Sequence, residues 1–181
     1  MNRFWKEYFI FMEKKTNTLK KALTGIILSV ILIVIDQVTK LMAIHGLMNQ
    51  QPFVIWDGVF ELHYLENRGA AFGILQGKKI FFVFFTLIVL CLIAYLYLKR
   101  IPDEKKFRLM DGICILFFAG ALGNFIDRVF RNYVVDFFYF KLIDFPIFNV
   151  ADIYVTVAAF AMIILGLFYY KEEDYNKIFH D

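Results

Sequence analysis

The chain has 181 residues, of which 60% are hydrophobic and 19% aromatic, and a formal net charge of +3. Soluble domains average about 45–50% apolar residues, and here the excess is gathered in long apolar runs. The composition therefore excludes an ordinary soluble domain. It predicts a single-domain membrane protein that is mainly α-helical, with no nucleic-acid partner. The two cysteines, Cys91 and Cys114, lie inside apolar runs, so no disulfide is expected.

Four apolar runs reach or approach the length of about 20 residues that a membrane-spanning helix needs. These predicted spans cover residues 22–44, 80–98, 109–130 and 150–170. They belong to one predicted domain, residues 21–171, and residues 172–181 follow as a tail. Before the first span, residues 1–20 place aromatic side chains about one helical turn apart among lysines. That pattern indicates either an amphipathic helix at the membrane surface or a poorly ordered basic tail.

Lysine and arginine flank the spans unevenly, and this asymmetry predicts the orientation of the chain. Six of them fall within residues 1–21 and five within residues 99–108. We therefore place both segments in the cytoplasm, and four spans then bring the C-terminus there as well. Lys78 and Lys79 oppose this rule on the outer side, but the cytoplasmic clusters outnumber them.

Two segments between the spans are predicted to face outward and to form strands. "VFELHYL" alternates apolar and polar residues, which is typical of a half-buried strand. "YVVDFFYF" is rich in β-branched and aromatic residues, which also favours a strand. The outer face of the four-helix bundle is therefore expected to carry a small β-platform.

Polar residues gather at the outer ends of the predicted spans, where such residues are costly and are commonly functional or paired. Asp36 and Lys40, at positions i and i+4, share one face of the first helix. They form either a structural ion pair or a brace for a nearby site. Asn124, Asp127 and Arg128 stand near the end of the third span. A local pairing of Asp127 with Arg128 would explain this acid without catalysis.

Two more aspartates stand at the same predicted level. Asn149 is a good N-cap candidate for the fourth span, and Asp152 then occupies the N3 position, so an ordinary capping pair is one interpretation. Asp136 lies among valines and phenylalanines, where a carboxylate is costly unless it is paired. By topology these acids meet at the outer membrane interface, together with Asn67 and Arg68.

Paired carboxylates are the chemistry that these residues offer. No hydroxyl nucleophile has a base at a suggestive spacing, and the three histidines are scattered along the chain. In an aspartic peptidase one ionised carboxylate takes a proton from water, while a protonated one donates to the substrate carbonyl. Asp152 at a helix N-terminus is biased towards the anion, and Asp136 among apolar residues towards the neutral acid. Spacing alone leaves Asp127 as an alternative partner of Asp152.

Five short motifs carry a family resemblance. "DQVTK", "ENRGAAFG", "GALGNFIDR", "VVDFF" and "FNVAD" occur in this order, and together they resemble the lipoprotein signal peptidases of bacteria, also called signal peptidase II. The resemblance covers roughly residues 25–170. It implies an intramembrane aspartic endopeptidase of the cytoplasmic (inner) membrane that uses no metal or cofactor. Its expected substrates are prolipoproteins whose cysteine carries diacylglycerol, and it would cut just before that cysteine.

The resemblance also assigns roles to residues, each at the position that matches a motif. It implies that Asp136 and Asp152 are the catalytic pair, and it thereby favours Asp136 over Asp127. The matching supporting or substrate-binding residues are Asn67, Asn124, Arg128, Asn149, Asp36 and Lys40. A short outer helix is expected at "GAAFGIL", and Trp56 and Phe72 are candidate apolar contacts of the substrate, with interfacial anchoring as the alternative.

The expected partners follow from the same resemblance. They are prolipoprotein signal peptides, membrane lipids, and peptide-like inhibitors of the family such as globomycin. One different class of function stays open at this point. A non-enzymatic four-span membrane assembly protein could use the same acids as structural ion pairs with lysine and arginine.

Overall fold

The computed structural model describes residues 3–69 and 79–180. Helices make up most of these residues, and a small three-stranded sheet sits at one end of them. The helices are α1 (Arg3–Leu47), α2 (Lys79–Tyr95), α3 (Arg108–Phe130), α4 (Val150–Phe168) and α5 (Glu172–Phe179). The strands are β1 (Phe53–Trp56), β2 (Phe60–Asn67) and β3 (Val134–Phe140).

Within the described residues, four helical stretches are long and apolar enough to cross a membrane. They are Lys15–Leu47, Lys79–Arg100, Lys105–Phe130 and Val150–Phe168. The second stretch includes a π-helix, Leu96–Arg100, that continues α2, and the third begins with a 3-10 turn, Lys105–Phe107. Large apolar side chains are exposed along these helices, as a surface facing lipid requires. The predicted multi-pass membrane fold is confirmed.

The first helix is longer than the predicted span. Residues 3–20 are helical, and their backbone continues into the span without a break. The sequence patterns did not indicate this continuity. The expected place of this segment at the membrane surface stays a prediction.

Helix α3 lies at the centre of the bundle, where it packs against α1, α2 and α4. Two glycines allow the closest approaches. A β-carbon at Gly120 would lie 2.6 Å from the carbonyl oxygen of Ala151, and one at Gly123 would lie 2.6 Å from Oδ2 of Asp36. Only a residue without a side chain lets α1 and α4 come this near.

The sheet is antiparallel with the order β1-β2-β3. Both predicted strands are present as β2 and β3, whereas β1 was not predicted. Leu65 of β2 faces Asp136 of β3, and Asn67 faces Val134. An isolated bridge between Phe138 and Phe148 then folds the chain after β3 back towards the start of α4. The short outer helix expected at "GAAFGIL", with Phe72, lies largely outside the described residues.

We call the end of the bundle that carries the sheet the sheet end. Lys79 stands there at the start of α2, and its Nζ lies 2.6 Å from Oδ1 of Asn132 and 3.3 Å from the carbonyl oxygen of Val129. A cation is favourable at the C-terminus of a helix. Lys79 therefore stabilises the C-terminal end of α3. This contact gives a structural reason for a lysine on the predicted outer side, where the charge rule does not favour one.

The opposite end of the bundle has an apolar core of its own, built around Tyr97, Phe107 and Tyr170. Here the tail forms α5, which packs against the chain between α2 and α3. Nζ of Lys106 lies 2.5 Å from Oδ2 of Asp174, and the pKa of Asp174 is lowered chiefly by this lysine. These contacts hold the C-terminal segment against the bundle.

Candidate active site

Asp136 is 1% exposed on β3, and both of its carboxylate oxygens accept hydrogen bonds from side-chain amides. Nδ2 of Asn67 donates to Oδ2 at 2.8 Å, and Nδ2 of Asn149 donates to Oδ1 at 2.6 Å. The strand register explains the first contact. Asn67 lies diagonally across from Asp136 on the same face of the β2–β3 pair, so the two side chains point to the same side of the sheet.

Asp152 lies in the first turn of α4 and completes a capping box with Asn149. Oδ1 of Asn149 accepts from the Asp152 backbone at 3.0 Å, and Oδ2 of Asp152 accepts from the Asn149 backbone at 3.1 Å. The predicted cap is therefore present. Oδ1 of Asp152 accepts a separate bond of 2.8 Å from Nδ2 of Asn124. The capping interaction and a role in a carboxylate pair are therefore compatible.

Two asparagines connect the carboxylates. Nδ2 of Asn149, which donates to Asp136, lies 3.2 Å from Oδ1 of Asn124, and Asn124 in turn donates to Asp152. Nζ of Lys40 lies 2.9 Å from the same Asn124 oxygen. This continuous network brings α1, α3, β3 and α4 to one place, and it fixes both carboxylates relative to each other.

The environment of Asp136 opposes its ionisation. Burial is the largest cause and the nearby Asp152 carboxylate the second, and together they raise the pKa of Asp136 to about 7. The amides of Asn67 and Asn149 act in the other direction because they stabilise the anion. The direction agrees with the expectation from its apolar neighbours.

A second acid cluster lies behind this pair. The side chain of Lys40 is fully buried, with Nζ 2.9 Å from Oδ2 of Asp36 and 3.0 Å from Oδ2 of Asp127. Oδ1 of Asp36 accepts from the backbone of Ala151 at 2.9 Å, which ties α1 to the start of α4. Asp36 and Lys40 thus form the expected ion pair next to the site.

Asp127 is fully buried and is engaged on both oxygens. It binds Lys40 and Arg131, and its Oδ2 accepts from the backbone of Val135 at 3.2 Å. The arginine that pairs with it is Arg131, one turn further along α3, and not Arg128, which was the partner considered from the sequence. The i, i+4 spacing of Asp127 and Arg131 was the sequence signal that could have revealed this. Gln37, which bonds to both acids of this cluster, was also missed.

Arg128 instead faces the carboxylate pair. Its Nη1 donates to the carbonyl oxygen of Asn124 at 3.3 Å, and its Nη2 donates to that of Gly69 at 3.1 Å. Gly69 also donates from its backbone to Oδ1 of Asn67 at 3.0 Å. Arg128 and Asn67 therefore fix the backbone of Gly69, where the chain leaves β2. Arg68, in contrast, is mostly exposed and pairs with Glu66.

A cavity of about 780 Å³ opens beside the carboxylate pair. Its polar wall includes Asn67, Asn124, Arg128, Asp136 and Asp152. Its apolar wall comes from the connection after β3 and from α4, and includes Ile143, Phe145, Phe148, Ile153 and Val157. The sequence did not single out this apolar wall. The cavity is within the range of about 300–1,000 Å³ that small-ligand sites occupy.

One residue that the sequence suggested as a substrate contact lies elsewhere. Trp56 is 68% exposed on β1 and does not line this cavity. Across the described residues, no group of three or more histidines, cysteines and acids has an arrangement that could hold a metal ion. The functional groups that the described part of this cavity presents are carboxylates, amides, two guanidinium groups and the hydroxyl of Thr156.

Comparison with known proteins gives a consistent result. The family described as signal peptidase (SPase) II matches residues 28–168. A lipoprotein signal peptidase of Clostridium tetani is 41% identical over 160 residues, which cover 85% of this chain and 98% of the relative. One from Streptococcus thermophilus is 43% identical, over 79% of this chain and 90% of the relative. A bacterial membrane enzyme solved by the in meso method has a TM-score of 0.71 at 38% identity, with 81% of this chain and 94% of that chain covered. The chain belongs to the signal peptidase II family.

Proposed function

We propose that this protein is an aspartic endopeptidase that removes the signal peptides of prolipoproteins. The proposed substrates carry diacylglycerol on a cysteine, and cleavage occurs just before that cysteine. The observation that carries the proposal is the pairing of Asp136 with Asp152 through Asn149 and Asn124, on the wall of a large cavity. Asp36 and Lys40 support this pair from behind without reaching the cavity.

The two aspartates divide the chemistry between them. Asp152, at the N-terminus of α4, acts as the base and takes a proton from water as the water oxygen attacks the scissile carbonyl. Asp136 donates its proton to the carbonyl oxygen, which gives a neutral tetrahedral intermediate. When this intermediate collapses, Asp136 takes a proton back from the hydroxyl group and Asp152 protonates the leaving nitrogen. The products are the signal peptide carboxyl group and the free amine of the cysteine, and the pair returns to its starting state.

The neighbours of the pair keep it in this arrangement. Asn67 and Asn149 fix the orientation of the Asp136 carboxyl. Arg128 brings a positive charge to the cavity wall and offers electrostatic stabilisation for an oxygen that gains negative charge in the transition state. These residues are the substrate-binding and supporting set.

The apolar wall suits a lipid-modified substrate. Ile153 is 38% exposed and Val157 50% exposed on α4, and both also line the cavity. An acyl chain can therefore contact the cavity while most of its length stays in the bilayer. Peptide-like inhibitors such as globomycin would occupy the same cavity and bind through the same amide and carboxylate groups.

The proposed location is a bacterial cytoplasmic membrane. The sheet end with the carboxylate pair faces outward, and both chain termini lie in the cytoplasm. The basic residues at positions 1–21 and 99–108 support this orientation through the charge rule.

Cleavage of a purified prolipoprotein tests the proposal. Asp136→Asn and Asp152→Asn should each lower kcat at least about a hundredfold, because each removes one partner of the proton transfers. Asp57→Asn, which changes an exposed carboxyl group in the turn before β2, is the matched control and should retain full activity. Precursor without diacylglycerol should be cut much more slowly than the lipidated form. Full activity in either variant of the pair would overturn its catalytic assignment.

A further inference from the structure

A second cavity extends from the middle of the bundle towards the end opposite the sheet. It measures about 310 Å³ and lies between α1, α2 and α3. Its walls are almost entirely apolar and include Ile26, Val30, Ile93, Ala94, Phe118 and Leu122. None of the residues that line it belongs to the wall of the active-site cavity. It is therefore a separate feature of the fold.

The π-helix at the end of α2 forms one edge of this cavity. The backbone N–H of Ile101 bonds to the carbonyl oxygen of Leu96 at 2.9 Å, which is the wider turn of a π-helix. Tyr97 is thereby turned inward, and its hydroxyl donates to the carbonyl oxygen of Lys21 at 2.8 Å. A β-carbon at Gly25 would lie only 2.7 Å from the Tyr97 ring, so the ring fits here because residue 25 is glycine. Single π-turns frequently occur at functional sites.

A polar pocket adjoins the apolar cavity, and Leu98 lines both. This rim contains Lys99 and Arg100, neither of which has an ion-pair partner among the side chains that the structure describes. The rim also contains Lys21, which is neutralised by Asp111, whose Oδ1 lies 2.8 Å from Nζ, and Lys177. Two positive charges are therefore available at the edge of the apolar cavity.

The acids of the same rim do not cancel these charges. Glu104 binds Lys177 at 2.9 Å, and Oδ1 of Asp103 lies 3.8 Å from Arg108. Among the described residues of the rim, Glu13 is the acid that lacks such a partner. The available charge at the rim is therefore positive.

We propose that this cavity and its rim bind one anionic phospholipid of the adjacent leaflet. An acyl chain occupies the space between α1, α2 and α3, and Lys99 and Arg100 bind the phosphate. Basic side chains at a membrane surface attract anionic lipids, and an arginine can bind a phosphate through two parallel hydrogen bonds. The hydrophobic part of a signal peptide fits the rim less well, because its basic N-terminal region would meet charges of the same sign.

Native mass spectrometry of the full chain in detergent tests this site. The probes are phosphatidylglycerol, phosphatidylcholine with the same acyl chains, and glycerol 3-phosphate, which has the phosphate without chains. Wild-type protein should retain one phosphatidylglycerol in preference to the other two. The double variant Lys99→Gln/Arg100→Gln should bind it about fivefold more weakly for each cation removed, whereas Lys15→Gln/Lys105→Gln, which changes two exposed lysines, should bind it normally.

Ala94→Phe tests the acyl-chain cavity independently of the charges. The larger side chain fills the space and should weaken binding of both phospholipids, whereas Leu92→Phe on the lipid-facing side of the same helix should not. Equal retention of phosphatidylglycerol and phosphatidylcholine would overturn the proposal, as would unchanged binding in Ala94→Phe. Competitive displacement of the lipid by a prolipoprotein signal peptide would assign the cavity to the peptide instead.

Discussion

At Asp136, burial and the charge of Asp152 act in the same direction, and both favour the protonated carboxyl group. The two amide donors that fix its oxygens oppose this effect but do not cancel it. The group is therefore able to hold a proton near neutral pH and to donate it. Hydrogen bonds that orient an ionised acid lower its pKa. Here the burial of Asp136 raises the pKa by more than these bonds lower it.

The first prediction concerns pH. Because the pKa of Asp136 is raised to about 7, the proton donor is present below that pH and is lost above it. We expect kcat/KM for a lipidated precursor to fall tenfold per pH unit above about pH 7, since this parameter reports the free enzyme. Initial rates measured between about pH 5 and 9 in one ionic-strength-matched buffer series check this. A rate that stays constant up to about pH 9 would rule out Asp136 as the proton donor.

The proposed role of Lys40 is structural, in contrast to the catalytic role proposed for Asp136. It is a single buried cation between two buried carboxylates, Asp36 and Asp127. Lys40→Met would leave both acids without this partner, and removing one partner of a buried pair typically costs about 3–5 kcal/mol. We expect a large fall in thermal stability in detergent.

Lys177→Met is the control for that change. Lys177 also binds an acid, with Nζ 2.9 Å from Oε1 of Glu104, but the two side chains are 43% and 48% exposed. An exposed pair contributes only about 0–1 kcal/mol, so the melting temperature of this variant should change little. Similar small shifts in both variants would contradict a stabilising role for the buried cluster.

At the scale of elements, the crossing of α3 and α4 determines where Asp152 stands. Gly120 meets the carbonyl oxygen of Ala151 and the side chain of Val155, one residue before and three residues after that aspartate. The close contact fixes the first turn of α4 against α3. It thereby sets the distance over which Asn124 reaches Asp152.

We therefore predict that Gly120→Ala is harmful although alanine favours helices. Its β-carbon would meet a backbone oxygen that cannot rotate away, and overpacking of this kind costs about 1–3 kcal/mol. Both the melting temperature and kcat should fall, since α4 must shift. Gly112→Ala on the same helix, where no other part of the protein lies within 4 Å of the added carbon apart from the adjacent helix backbone, should be neutral or stabilising by up to about 1 kcal/mol. A neutral Gly120→Ala would disprove the close packing at this crossing.

The sequence revealed some elements and not others for physical reasons. Strand β2 is half-buried along most of its length and the first four residues of β3 are buried, so their residue patterns were informative. The buried residue of β2 is nevertheless Glu61 and not one of its apolar residues. All four residues of β1 are exposed, so burial imposes no alternation on them. The length of α1 was missed because hydropathy detects where apolar residues begin, whereas lysine continues a helix readily.

The site divides in the same way. Local spacing was sufficient for the Asn149–Asp152 cap and the Asp36–Lys40 pair, which connect neighbours on one helix. The link from Asp136 to Asp152 depends on the bridge between Phe138 and Phe148, which residue spacing does not encode. For this reason only the family resemblance could prefer Asp136 to Asp127.

At the scale of the whole molecule, the two ends of the bundle differ in structure. The sheet end holds the carboxylate pair and its cavity, whereas the opposite end is closed by α5 and the apolar core around Phe107. Helix α3, which packs against α1, α2 and α4, connects the two ends of the bundle. The two ends must therefore face different aqueous compartments if the protein spans the bilayer as proposed.

Cysteine labelling tests this orientation directly. In a background of Cys91→Ala and Cys114→Ala, single cysteines are placed at Gln51, which is exposed at the sheet end, and at Glu173, which is exposed on α5. In intact cells a membrane-impermeant maleimide should label Gln51→Cys. It should label Glu173→Cys only after the membrane is permeabilised, because the basic flanks hold that end in the cytoplasm. Retained processing of a prolipoprotein shows that each variant is folded. The reverse labelling pattern would place the carboxylate pair on the cytoplasmic side, where a peptidase acting on exported precursors would not meet its cleavage site.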